Sequence, residues 1–233
     1  MRTLALETSG NQPSLAALEG ERLLREVLLP TGRRTAATFS IALGDLMASL
    51  EWRFPSLEVV AVTTGPGSFT GLRIGVTAAK TLAYACGTDV VGVNTLETIA
   101  EGVFADPRCA EARSLWTVLD AQRQELFAAL YEKQEVEGSD SSIWRETKGT
   151  SIMPREAWLA ELREGQHVAG PVLDKLKQQL PEGVRDVPRE LWSPSAAATG
   201  RLALRRYAQG ERDDLWQLVP QYYRKSAAEE KTR

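Results

Sequence analysis

Residues 59–63 (VVAVT) are apolar at nearly every position, the pattern of a strand buried on both faces, and they run directly into Thr64-Gly65-Pro66-Gly67-Ser68-Phe69-Thr70-Gly71. Glycine and proline at that density end a strand and turn the chain. Helical periodicity resumes at Leu72 and predicts a helix of about sixteen residues. A buried strand that turns sharply into a long helix belongs to an α/β layered fold, because both of its faces need a covering layer.

The neighbouring segments agree. Residues 2–8, 14–18 and 23–29 alternate with turn-forming clusters and read as a three-strand antiparallel meander. Phe39, Leu43, Leu46 and Leu50 recur at helical spacing and predict a helix over 35–50 with Thr35 as its N-cap. A short strand at 90–93 and a helix at 96–104 follow. The order βββαβαβα implies a mixed sheet flanked by helices, so residues 1–105 are expected to form one lobe. Asp106-Pro107 marks the boundary to a smaller, less regular lobe over 106–233 with a basic tail. There we expect strands at 115–119 and 126–131, and a polar surface loop over 135–150 with a strand around Trp144. Helices at 154–163 and 172–180, a short strand at 167–170, and a helix at 195–208 capped by Ser193 or Ser195 complete it. Both halves begin with strands and end in helices, which allows a distant common plan.

Counts narrow the chemistry. No apolar run approaches the ~18 residues of a membrane span, and the N-terminus enters a strand-like run at once, so a cleavable leader is not expected. The two cysteines, Cys86 and Cys109, have no CxxC spacing, which suggests a reducing, cytoplasmic setting and no thiolate zinc site. The single histidine, His167, cannot supply an HExxH metal site, and no GxSxG elbow accompanies a serine. No metal-binding or catalytic residue is assigned. A net charge of −3 lacks the basic excess of a freestanding nucleic-acid binder; only residues 201–233 lean basic.

The turn at 64–71 admits two readings. Backbone N–H groups at a helix N-terminus can cradle a phosphate, with Gly65, Gly67, Ser68 and Thr70 as the candidates and Thr8 and Ser9 of the first hairpin opposite them. The spacing, however, is neither a Walker loop nor GxGxxG, and a plain strand-to-helix turn remains open. Gly71, Gly75, Ala79, Ala83 and Gly87 then recur at every fourth position. Such a smooth stripe lets two helices approach closely, against either the chain's own layers or another subunit. On the second reading the interface comprises Phe39, Leu43, Leu46, Gly71, Leu72, Gly75, Val76, Ala79 and Ala83. A bulky residue at Gly75 or Ala79 would then abolish partner binding and spare the fold.

Several segments together resemble one family. They are Leu4-Ala5-Leu6-Glu7-Thr8-Ser9, Gly65-Pro66-Gly67-Ser68-Phe69-Thr70-Gly71-Leu72-Arg73-Ile74-Gly75, Val93 to Thr98, Leu119-Asp120-Ala121 with Leu130-Tyr131-Glu132, and Pro220-Gln221-Tyr222-Tyr223-Arg224. The pattern is similar to the TsaB (YeaZ) family, the bacterial subunit needed to make threonylcarbamoyladenosine in tRNA, grouped in older usage with glycoprotease-like M22 proteins.

The resemblance implies a two-lobed actin-like ATPase (ribonuclease H-like) fold. It further implies a non-catalytic subunit that dimerises through first-lobe helices with a TsaD-type catalytic partner, joined by a TsaE-type ATPase, and that meets tRNA only through the complex. ATP or ADP and metal are expected on the partner or at the shared interface, and a homodimer is possible for the isolated chain. Two departures weigh against nucleotide hydrolysis by this chain alone. Glu7 stands where the family usually has aspartate, and Arg33-Arg34-Thr35-Ala36-Ala37 lacks a histidine that many members carry. The alternatives are a nucleotide-dependent small-molecule kinase or ATPase of the same fold and, more remotely, a peptidase.

Overall fold

A computed structural model describes residues 1–30, 35–135 and 142–224. The first sheet has the order β3-β2-β1-β4-β5, built from β1 (Arg2–Glu7), β2 (Ser14–Glu19), β3 (Arg22–Leu28), β4 (Val59–Gly65) and β5 (Asp89–Asn94). β1, β2 and β3 form the antiparallel meander, and β4 and β5 add in parallel on the other side of β1. The second sheet comprises β6 (Ser114–Asp120), β7 (Glu125–Glu135), β8 (Ser142–Pro154), β9 (His167–Ala169) and β10 (Arg185–Asp186), in the order β10-β9-β6-β7-β8. Again three strands form an antiparallel meander and two are added in parallel beside its first strand. The two sheets repeat one topology, and the architecture is the expected two-lobed, actin-like α/β fold.

Alternation along the central strands decides which helix covers which face. Leu4, Leu6, Val60 and Val62 point to one side, where α1 (Thr35–Ser49) and α2 (Phe69–Cys86) cover them with Phe39, Leu43, Leu46, Val76 and Ala79. Ala5, Ala16, Val59 and Ala61 point to the other side, where α6 (Ala196–Ala208) lies. The small side chains on that face, together with Gly200 packed against Leu18 and Ala5, let α6 come close. Its N-terminal amides are held by Ser195 Oγ, Ser14 Oγ and Glu26 Oε1. Burial of each large aliphatic side chain in such layers contributes roughly 1.5–3 kcal/mol.

Four expectations need correction. The division at residue 106 does not match the packing. α3 (Thr95–Phe104) places Leu96, Ile99 and Val103 in the core of the second lobe, while α6 and the segment after it return to the first sheet. Periodicity along a chain does not reveal which sheet a late helix will cover. The strand expected around Trp144 is present as β8, but it extends over Ser142–Pro154, so the surface loop expected at 135–150 is largely the long β7–β8 hairpin. Its register shifts near Leu130, and most of β8 is polar or charged and exposed, so it lacks an apolar strand signature; residues 136–141 of that stretch lie outside the described residues. The helix expected over 172–180 is only α5 (Leu173–Leu176) followed by a 3-10 turn. Finally, α2 begins at Phe69 rather than Leu72, because Ser68 caps it by accepting from Gly71 N. The expected breaks at Thr31 and Gly32 and the departure at Arg33 and Arg34 lie outside the described residues, as does the tail from Lys225 onward. The remaining helix, α4 (Arg155–Glu161), packs on β7 and β8 with a fully buried Trp158. Among the described residues no helix is long and apolar enough to cross a membrane.

Candidate functional site

The ends of β1 and β4 bring the two sequence-predicted loops together. Thr8 and Ser9 are buried at the end of β1, whereas Gly67, Ser68 and Thr70 stay exposed at the start of α2. The loops are joined directly: Ser68 N donates to Ser9 O at 2.8 Å, and Thr8 Oγ1 donates to Gly71 O at 2.8 Å. A Cβ on Gly67 would lie 2.5 Å from Ser9 O, and one on Gly71 would overlap Thr8 O. Two of the amides at the turn, those of Ser68 and Gly71, are therefore spent inside the protein, on Ser9 O and Ser68 Oγ. The glycines serve a close approach of two backbones. Gly65, at φ +132°, lies where a Cβ would meet the carbonyl of Gln221 at 2.6 Å.

Glu7, absent from the sequence-predicted site, is the chemical centre of this contact. It is fully buried, and its carboxylate accepts from Ser9 N at 3.0 Å, from the Ser9 hydroxyl, and from Thr63 Oγ1 at 3.3 Å, with Gly10 N at 3.5 Å. Burial pushes its pKa up to about 7, outweighing the hydrogen bonds from Ser9, Gly10 and Thr63 that favour the charged form. The carboxylate is thus enclosed by its own turn and by Thr63 of β4. Among the described residues no group of three or more His, Cys, Asp or Glu is placed to hold a metal ion.

The predicted partner-interface residues are corrected most sharply. Phe39, Leu43, Leu46, Leu72, Val76, Ala79 and Ala83 are each at most 8% exposed, and Gly71 and Gly75 are buried too. The every-fourth stripe packs on the chain's own sheet: a Cβ on Gly75 would overlap Thr8 Oγ1 and touch Val62. Gly87 is not part of it, since it ends α2 in the left-handed conformation at φ 66°. Among the residues that α1 and α2 leave outside are Ile41, Gly44, Ala48, Thr77, Thr81 and Ala85, beside the larger Asp45, Arg73 and Tyr84.

A second junction was visible in sequence only as a strand–helix boundary. Asn94 caps α3 through its side-chain oxygen, accepting from Leu96 N and Glu97 N. Its amide nitrogen donates to Thr150 Oγ1 in the second lobe and to Tyr223 OH in the C-terminal segment, both at 3.0 Å. A polar cavity of about 320 Å³ opens beside it, lined by Thr64, Glu97, Glu146, Arg206 and Gln221 among others. Glu97 is raised above the usual carboxylate range by burial, against the pull of its ion-pair partner Arg206. His167, at the start of β9, is pushed down by burial and by Arg185 and faces no nucleophile at this site.

The family described as "TsaD: tRNA N6-adenosine threonylcarbamoyltransferase" matches residues 31–146. The chain is 30% identical over 132 residues to the tRNA threonylcarbamoyladenosine biosynthesis protein TsaB of Bacillus subtilis, covering 57% of this chain and 56% of that protein. It is 27% identical to the TsaB of Escherichia coli, over 67% of this chain and 64% of that protein. The matched regions thus span less than two thirds of these relatives. Among solved structures, YeaZ from Pseudomonas aeruginosa superposes with a TM-score of 0.76 at 23% identity, covering 95% of this chain and 99% of that one.

Proposed function

Because this chain belongs to the TsaB (YeaZ) family, we propose that it is a non-catalytic subunit of the machinery that forms threonylcarbamoyladenosine in tRNA. In this reading it pairs with a TsaD-type catalytic partner, works alongside a TsaE-type ATPase, and reaches tRNA through the complex. The observation that carries the non-catalytic assignment is the closed contact between the β1–β2 turn and the start of α2, with Glu7 enclosed inside it. An actin-like ATPase needs those two loops open to phosphate and a carboxylate open to metal, and here each is satisfied by the other.

The surface offered to the partner is then the outer side of α1 and α2 rather than the buried stripe. Small exposed residues there permit close helix approach, while the stripe beneath holds both helices on the sheet. Reconstitution tests the assignment. Threonylcarbamoyl transfer to tRNA by a TsaD-type partner should depend on added chain, and the isolated chain should not turn over ATP with Mg²⁺. Transfer that proceeds equally without the chain, or ATP turnover by the chain alone, would sink the reading.

A further inference from the structure

Residues 213–224 are the last described segment, and they touch both lobes. The segment starts on the open edge of the first sheet. Asp213 N donates to Val90 O at 3.0 Å, and its carboxylate accepts from Gly92 N at 2.7 Å, so it caps the free side of β5. It then runs antiparallel along the outside of α2. Lys80 Nζ donates to the carbonyls of Trp216 and Leu218, both at 3.1 Å. Trp216 meets Tyr84 edge to face at 5.7 Å, Tyr222 stacks on Phe69 at 4.8 Å, and Arg73 Nε donates to Tyr222 OH at 3.0 Å. Leu218 drops into the core, and Leu215 packs half-buried against it. Gln221 N donates to Thr64 O at 2.7 Å, closing the strand end where Gly65 makes room for it. The last two residues cross over: Tyr223 packs edge to face on Phe127 at 6.1 Å and accepts from Asn94, and Arg224 pairs with Glu125 of the second sheet.

We propose that residues 213–224 form a strap that sets the spacing of the two lobes, and that the Phe69, Arg73, Lys80 and Tyr84 edge of α2, beside the Thr81 and Ala85 surface offered to the partner, is the dock that holds it. Two features argue for a device rather than a trailing end. Apart from Leu218 and Leu215, which pack on the first-lobe core, its anchors on α2 are exposed aromatic, cationic and main-chain contacts, so most of the strap is held by interactions that local opening can break. Its anchors on the second lobe are few and terminal, namely Tyr223 on Phe127 and Arg224 on Glu125. Loss of the α2 dock therefore leaves the crossing held only by Asp213 on β5, by Leu218 and by the polar contacts of Gln221 and Tyr223, and loosens it without disturbing either sheet. Whatever alters the Lys80–Tyr84 face is felt at the β7 end of the second lobe, although no residue of α2 touches β7 through these contacts.

The test uses the full chain with Cys86→Ser and Cys109→Ala, and spin labels on cysteines placed at Glu21 in the first lobe and Glu164 in the second. Pulsed dipolar spectroscopy on the parent should give one narrow distance distribution. Lys80→Ala with Arg73→Ala, on the dock, should broaden it and add a second population. Arg224→Ala with Tyr223→Ala, at the crossing, should do the same. Amide exchange at Gln221 should accelerate at least tenfold in the dock variant, and circular dichroism should match the parent. An unchanged distance distribution in variants whose Gln221 amide has become exposed would overturn the strap. A Gln221 amide that keeps parental protection in the dock variant would overturn the assignment of α2 as its dock.

Discussion

Gly71 and Thr8 lie backbone to backbone: the Thr8 hydroxyl donates to the Gly71 carbonyl at 2.8 Å, and the Thr8 carbonyl oxygen occupies the volume that a Cβ on Gly71 would need. One turn later Gly75 meets the Thr8 side chain in the same way. The start of α2 is thus pressed onto the end of β1 with only the Thr8 side chain between them.

Gly71→Ala and Gly75→Ala should each destabilise the protein by about 1–3 kcal/mol, the cost of overpacking a filled site. Gly44→Ala, in α1 where nothing lies within 4 Å of the added carbon, should instead stabilise by roughly 0.5–1 kcal/mol through helix propensity. Urea midpoints of the three variants check this, and equal shifts would contradict it. The larger changes Gly75→Leu and Ala79→Arg are accordingly expected to unfold the chain, not to spare it while breaking a partner contact.

How much of this was legible depended on what each residue signals alone. The meander, β4 and the sharp turn into α2 were readable because apolar period, glycine and proline all spoke for the same local structure. The stripe from Gly71 to Ala83 was readable as a close contact but not as a contact with β1, since spacing on a helix records smoothness and not the identity of the neighbour. Glu7 is legible in the sequence only as a departure from the aspartate usual in the family that the chain resembles. Its true partners, Ser9, Gly10 and Thr63, include one 56 residues away, which no local pattern can place. The same limit hid α6, whose alanines and Gly200 fit the first sheet from the far end of the chain, and the pairing of Arg224 with Glu125.

Glu101 of α3 is almost fully buried and forms a two-pronged ion pair with Arg205 of α6, with Arg201 3.6 Å away. Arg205→Ala should cost about 1–2 kcal/mol, the range for a half-exposed charge whose loss leaves a buried carboxylate with a weaker partner. Glu101→Gln should cost less, because it removes the charge that needs compensation. A double-mutant cycle in urea checks the coupling, which should exceed about 0.5 kcal/mol. Strict additivity would show that the pair does not tie α3 to α6.

If the outer faces of α1 and α2 meet a partner, a long charged side chain there should act on binding alone. Thr77→Arg, at an exposed position, combined with Ile41→Asp, at a residue 67% exposed, should leave the urea midpoint within about 0.5 kcal/mol of the parent. Binding to a TsaD-type partner should weaken by at least about tenfold, near 1.4 kcal/mol, as read by calorimetry with the purified proteins. Unchanged affinity would remove this face from the proposed interface.

Glu7 gives the stability a defined pH dependence. Its pKa rises from 4.5 to about 7 on folding, chiefly through burial. Below pH 4.5 both folded and unfolded chains hold the proton, and the native state keeps its full stability. Between 4.5 and about 7 the unfolded chain releases a proton that the folded one retains, so stability falls as pH rises, at about 1.4 kcal/mol per pH unit and roughly 3 kcal/mol in all. Above about 7 both forms are ionised and this contribution stays lost. Glu7→Gln keeps the size of the side chain and an acceptor for Ser9 N–H but cannot titrate, so its urea midpoint should vary less across that window than the parent's. Midpoints measured at pH 5, 6 and 7.5 for both proteins decide it. A parent whose stability is flat or rising from pH 5 to 7.5, or a variant that retains the parent's full slope, would show that the enclosed carboxylate is not the group that titrates.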